Sequence, residues 1–137
     1  MKSFSNLNIL VTGADGFVAS HLCEYLVSKK AKVIGLLRRN SGGIFKNLND
    51  IKNDIIIKWG DTQDLSLITE VTKNVDIIFH LAAQSHVGHS IYNPYETIVN
   101  DVISTLNVLE AARKNNVKRI IHAGSSEIYG KHLYVPI

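Results

Sequence analysis

Residues Ser125-Ser126-Glu127 set two hydroxyls and a carboxylate side by side, just past the apolar run Arg119-Ile120-Ile121-His122-Ala123. Such a group could hold a substrate hydroxyl and move a proton; a capped turn satisfies the same spacing. Near the other end, Gly13-Ala14-Asp15-Gly16 follows the run Ile9-Leu10-Val11 and opens directly into a helical pattern. Strand, glycine turn and helix suit a dinucleotide pyrophosphate. Gly13 permits the tight turn, Gly16 lets backbone N–H groups approach phosphate, and the helix end supplies partial positive charge. Ala19 occupies the third small position, where helix and strand must pack closely.

Three further sets of residues could bind or react. At Leu37-Arg38-Arg39-Asn40 an apolar run ends in two guanidinium groups and no acid. An enzyme selecting NAD would place an acid there for the ribose hydroxyls, whereas arginines suit the 2′-phosphate of NADP. A solvated strand end is the simpler alternative. Asp61, after Gly60, could accept from an adenine amino group or form an Asx-turn. Of six histidines, His86 and His89 are three apart without cysteine or carboxylate partners at ligand spacing, and His80 and His122 fall in apolar runs read as buried strands. No metal site is expected, and His86 is assigned to ordering its loop. Cys23 lies among apolar neighbours on the first helix and reads as packing.

These residues need a scaffold that gathers them. Short apolar runs alternate with amphipathic segments: strands at 9–11, 32–37, 55–59, 75–81 and 119–123, with helices between. The first helix is expected to bury Phe17, Val18, His21, Leu22, Tyr25 and Leu26. A loop with a short helix is expected over 38–52, and Asp64 is expected to cap a helix through Leu65, Ile68 and Val71. A longer helix from Tyr95 to Asn115 would bury Ile98, Val102, Thr105, Leu106, Leu109 and Ala112. The pattern implies an α/β fold: a doubly wound parallel sheet, strand order 3-2-1-4-5. Ligands bind such sheets at the carboxyl ends of the strands, where every set of residues above falls.

Composition narrows the function. The 137 residues suffice for one domain over 1–137, 45% hydrophobic and 20% charged. No apolar run approaches a membrane span, and no N-terminal segment has a signal-peptide layout. One cysteine cannot form an internal disulfide, which fits a reducing cytoplasm. The net charge of +3 is scattered, without a basic stripe, which disfavours nucleic acid and favours a small anionic ligand.

Together the segments resemble the extended short-chain dehydrogenase/reductase family, in its nucleotide-sugar dehydratase and epimerase branch. Thr12-Gly13-Ala14-Asp15-Gly16-Phe17-Val18-Ala19 resembles TGxxGFxG, and His80-Leu81-Ala82-Ala83-Gln84-Ser85-His86-Val87 resembles HLAA(Q/E)SHV. Residues Asn100 to Ala112 resemble NVxGTxNVLEAA, and Ser125 to Gly130 resemble S(S/T)xE(V/I)YG. The resemblance implies a Rossmann domain with cofactor contacts from Gly13, Asp15, Gly16, Phe17, Val18, Arg38, Arg39, Asp61, Thr62, Leu81, Ala82, Ala83, Ser85 and Val99. Substrate contacts are implied for Ser85, Ser125 and Ser126. The segments around Arg38 and Gln84 look most like the GDP-mannose 4,6-dehydratases, which use NADP. That likeness implies Glu127 as the base for the sugar C5 proton and Ser125 as partner of the 4-hydroxyl.

The chain also departs from this branch. The dehydratases usually carry Thr where Ser125 stands, and the dTDP-glucose type carries Asp where Ser126 stands, which leaves room for a 4-epimerase or 4-ketosugar reductase. The family's Tyr-x-x-x-Lys pair follows the fifth strand, whereas here that spacing occurs only at Tyr25 and Lys29, and the chain stops at Pro136-Ile137. The expectation is a cofactor-binding portion of an NADP-dependent nucleotide-sugar 4,6-dehydratase, without turnover and without the sixth strand and substrate lobe. A non-catalytic NADP-binding module is the alternative from another class. An uncovered fifth strand would favour self-association or a homo-oligomer.

Overall fold

Side chains along a strand point alternately to opposite faces, and β1 (Asn8–Thr12) is dry on both: Ile9, Leu10 and Val11 are fully buried. A strand covered on both sides belongs inside a parallel sheet with helices above and below. In this computed structural model, which describes residues 4–38 and 47–130 and gives only the backbone of Ser126 and Glu127, β1 is that central strand. It pairs in parallel with β2 (Lys32–Leu37) and β4 (Ile77–His80). With β3 (Ile56–Trp59) and β5 (Arg119–His122) the order is β3-β2-β1-β4-β5, as the sequence predicts.

Two cores result from the alternation. Ile9, Val11 and Val33 meet Ala19, Cys23 and Leu26 of α1 (Phe17–Ser28) on one face. Leu10, Leu36 and Ile78 meet Ile68 of α2 (Leu65–Val71) and Val108 and Ala111 of α5 (Ser104–Lys114) on the other. The Asp64 side chain caps α2, accepting from Leu67 N at 3.0 Å, as expected from its position. Left-handed Lys30 and Asn116 end α1 and α5, and the next residues donate back to Leu26 O and Ala112 O.

Both long helices turn inward a face that overlaps the expected one only in part: Leu26 and Ala112 are buried as expected, and Leu22 packs against the core. In α1 the buried residues are Ala19, Ser20, Cys23 and Leu26, while Phe17, Val18 and Tyr25 face solvent. The small residues let the helix approach the sheet closely, and bulk at Phe17 and Tyr25 would hold it off. The predicted 95–115 helix is three pieces: α4 (Pro94–Ile98), a π turn (Val99–Ile103) and α5. The wider π turn rotates α5 about its axis, so Ser104, Asn107, Val108, Ala111 and Ala112 are buried, while Ile98, Val102, Leu106 and Leu109 lie exposed. A six-residue helix, α3 (Val87–Tyr92), precedes them. Residues 47–54 form turns, and the rest of the stretch where a short helix is expected, 39–46, lies outside the described residues. His122, expected to be buried, is exposed because β5 has no outer neighbour among the described residues.

Candidate functional site

The turn after β1 is shaped by the backbone. Gly13 has φ +65°, and a Cβ there would lie 3.1 Å from Ala82 Cα on the neighbouring β4 tip. A side chain is thus excluded twice, by conformation and by space. Gly16 precedes α1 in extended conformation, and no side chain among the described residues caps that helix. Its first N–H groups therefore face outward, the arrangement that receives anions. A cleft of about 200 Å³ opens there, lined by Gly13, Asp15, Arg38, Thr62, Ala82 and Ala83 among others. Phe17 and Val18 stand exposed at the helix entrance. These residues fit a dinucleotide: a turn that admits only glycine at position 13, an open helix N-terminus and a polar cleft beside both.

The far end of this cleft holds a polar network. The Arg38 guanidinium pairs with Asp61 at 2.9 Å and donates to the Asn100 amide oxygen. Gln63 Nε2 donates to the same oxygen at 2.7 Å, and Gln63 N donates to Asp61 Oδ1 at 2.9 Å. Asp61 thus forms the Asx-turn that its position allowed, and adds an ion pair to it. Asn107 fastens the same loop from α5, donating to Thr62 O and Gln63 O. Val99 adjoins Asn100 on the π turn. Arg39 lies outside the described residues.

A second cavity of about 580 Å³ shares the Ala82-Ala83 wall and continues past Ser85, Asp101, His122 and Ser125. The β4 tip that separates the two spaces is held from behind. Thr12 Oγ1 accepts from Leu81 N at 3.2 Å and Ala82 N at 3.1 Å, and Gln84 N donates to Asp101 Oδ1 at 2.7 Å. His80 lies between Thr12 Oγ1 and Thr105 Oγ1, at 2.8 and 3.1 Å. Burial first, and nearby His122 second, bring its imidazole down to about 4 from an ordinary 6.5, with Asp101 opposing both.

The structure therefore gathers most of the expected residues in two groups. Gly13, Asp15, Arg38, Thr62, Ala82 and Ala83 line the first cleft, with Asp61 attached through Arg38. Ser85 and Ser125 line the second cavity. Ser126 and Glu127 belong to a 3-10 turn (Ser126–Tyr129) beside it, and their side chains lie outside the described part. Leu81 packs against the α1-side core, supporting the cleft from behind. Cys23 is buried, and burial pushes its thiol up to about 12, consistent with packing. Tyr25 and Lys29 meet on the surface of α1, the ammonium 5.2 Å from the ring centroid.

Sequence reasoning did not single out Gln63 or Asp101, and it gave no role at the site to Thr12, Asn100 or Thr105, which it met only within family-like segments or a helix face. One signal was available: Asn100-Asp101 interrupts the apolar stretch from Ile98 to Ile103.

The sequence model of the NAD dependent epimerase/dehydratase family matches residues 9–137. A trifunctional UDP-glucose 4,6-dehydratase/UDP-4-keto-6-deoxy-D-glucose 3,5-epimerase/UDP-4-keto-L-rhamnose-reductase of Arabidopsis thaliana is 35% identical over 138 residues, covering 96% of this chain and 21% of the plant protein. A GDP-mannose 4,6-dehydratase of Yersinia enterocolitica is 33% identical, over 93% of this chain and 37% of its own length. Among solved structures, a UDP-glucose 4-epimerase from Bifidobacterium longum in complex with NAD+ and UDP aligns with TM-score 0.84 and 31% identity, covering 95% of this chain and 40% of that one. The chain spans about one fifth to two fifths of the length of these proteins.

Proposed function

The chain belongs to the NAD dependent epimerase/dehydratase family, and from that premise we propose that residues 1–137 form one dinucleotide-binding domain that serves an NADP-dependent nucleotide-sugar 4,6-dehydratase in the cytoplasm. The observation that carries the reading is the shared wall. The cleft at the glycine turn and the cavity at Ser85 and Ser125 meet at Ala82-Ala83, so a dinucleotide lying in the first would present its far end to the second. Gly13, Gly16 and the first turn of α1 hold the pyrophosphate, Thr62 and Asp61 flank the adenine, and Arg38 with Arg39 favours a 2′-phosphate.

A nicotinamide bound here takes up and returns a hydride. The chain's own residues do the rest: the Ser125 hydroxyl orients the sugar 4-hydroxyl, Ser85 and Ser126 position the sugar, and Glu127 takes the C5 proton as water leaves C6. The only Tyr-x-x-x-Lys pair in these residues, Tyr25 and Lys29, lies on the surface of α1, so the isolated 137-residue chain binds cofactor without turnover.

Serine at position 125 favours a second reading, a 4-epimerase or 4-ketosugar reductase on the same scaffold, and a non-catalytic NADP-binding module is a third. Calorimetric titration with NADP+ and NAD+ tests the cofactor, and tighter NAD+ binding would overturn NADP. Incubating the complete gene product with GDP-mannose or UDP-glucose in D2O tests the chemistry. A 4-keto-6-deoxy sugar labelled at C5 marks the dehydratase. Inversion at C4 without loss of water marks the epimerase, and no conversion marks the module.

A further inference from the structure

Arg38 leaves the tip of β2 between two oxygen partners that differ in charge. Asp61 is a carboxylate, 2.9 Å from Nε; Asn100 is a neutral amide that accepts from Nη2. Asn100 is 3% exposed and also accepts from Gln63, so its oxygen is fixed, whereas the Arg38 and Asp61 side chains stay 45% and 34% exposed at the mouth of the cleft. Resting on the reading that this cleft takes a dinucleotide, we infer that Asp61 and Asn100 set, in opposite directions, how strongly Arg38 favours a 2′-phosphate.

The reason is charge. A phosphate monoester brings about −1.5 to −2 at neutral pH, and the cation it would meet is already matched by Asp61. NAD carries no such group and leaves the Arg38–Asp61 pair undisturbed. Asn100 holds the guanidinium without cancelling any of its charge, and the π turn that carries Asn100 keeps it at the cleft. Asp61 thus lowers selectivity for the 2′-phosphate, and the neutrality of Asn100 preserves it.

Titration of the 137-residue chain with NADP+, NAD+, adenosine 2′,5′-bisphosphate and AMP tests the inference, with folding followed by thermal melting. Asp61→Asn removes the charge and keeps an oxygen for Gln63 N. It should shift the affinity ratio about fivefold toward the 2′-phosphorylated ligand of each pair. Asn100→Asp keeps both accepted hydrogen bonds and adds a second carboxylate, and should shift the ratio by a similar factor the other way. In an Arg38→Gln background the Asp61→Asn effect should vanish. An unchanged ratio in Asp61→Asn, or a gain that survives Arg38→Gln, overturns the inference while leaving the cofactor reading intact. If Asp61→Asn does not fold, Asn100→Asp decides alone, and a ratio that fails to fall overturns the inference. Absence of binding by the unaltered chain defeats the cofactor reading and this inference with it.

Discussion

Thr12 and His80 are register partners across β1 and β4, and their side chains meet in the interior with Thr12 Oγ1 2.8 Å from His80 Nδ1. The hydroxyl already accepts from two backbone N–H groups, at Leu81 and Ala82. A hydroxyl has two lone pairs and one hydrogen, so the hydrogen must go to Nδ1. His80 is therefore neutral with its proton on Nε2, which donates to Thr105 Oγ1.

That tautomer predicts both a spectrum and a pH profile. Ring 15N shifts should report an Nε2–H His80 that stays neutral until the pH approaches 4. Between 6.5 and about 4 the unfolded chain binds the proton and the folded chain does not. Stability is therefore flat above that window and falls through it as pH drops, by roughly 3 kcal/mol. Asp76 acts in a lower window: Lys118 and the Asn8 N–H hold its carboxyl below 3.8, so its stabilisation is lost only beneath that value. Urea unfolding at pH 7 and pH 4.5 measures the slope, and His80→Asn should flatten it. An unaltered slope in the variant would reject the assignment.

Thr12→Val removes the acceptor for Leu81 N and Ala82 N and the donor to His80 while preserving shape. The expected loss is about 2–4 kcal/mol in denaturant unfolding. Thr12→Ser keeps all three bonds and should lose no more than about 1 kcal/mol.

Gly13→Ala should be costly for two reasons already visible, the left-handed backbone and the 3.1 Å approach to Ala82 Cα. A loss of about 1–3 kcal/mol is expected, together with weakened dinucleotide binding, since relief of the clash must move the wall of the cleft. Gly124→Ala is the control, because a Cβ there meets nothing within 4 Å among the described residues. Equal melting temperatures for the two variants would contradict both reasons.

Ile98, Val102, Leu106 and Leu109 present an exposed apolar ridge, 47–58% accessible, on the helix that leads into β5. Such a ridge, together with a β5 edge that has no outer neighbour among the described residues, favours association. Light scattering of the 137-residue chain should show mass rising with concentration, and Val102→Lys with Leu106→Lys should lower it. A monomer at millimolar concentration would refute this.

The sheet could be read from the sequence because strands buried on both faces are nearly continuous apolar runs, such as Ile9-Leu10-Val11 and Ile77-Ile78-Phe79. The glycine turn and the Asp64 cap were equally local, each fixed by a residue with one conformational use. The helix faces were legible only in part. In α1 both the Phe17–Tyr25 stripe and the Ala19–Cys23–Leu26 stripe have helical spacing, and closeness of approach, a property of the sheet beneath, chose the smaller. At Arg38 the partners come from the β3 tip and the π turn, 23 and 62 residues away, as the numbering of Asp61 and Asn100 shows. No local pattern announces such a meeting.

The π turn has a consequence for how this protein can vary. Its extra residue separates a helical segment that answers to the ligand cleft, through Asn100, from one that answers to the core, through Val108 and Ala111. Substitutions ahead of Ser104 can retune the cleft while the packed interior is left alone. Forcing the same residues into a regular helix would turn one segment by about 100° against the other, whereas deleting one residue together with the bulge would leave both faces as they are. This stretch should therefore accept the loss of one residue more readily than the loss of two or the gain of one, either of which would turn α5 away from its core.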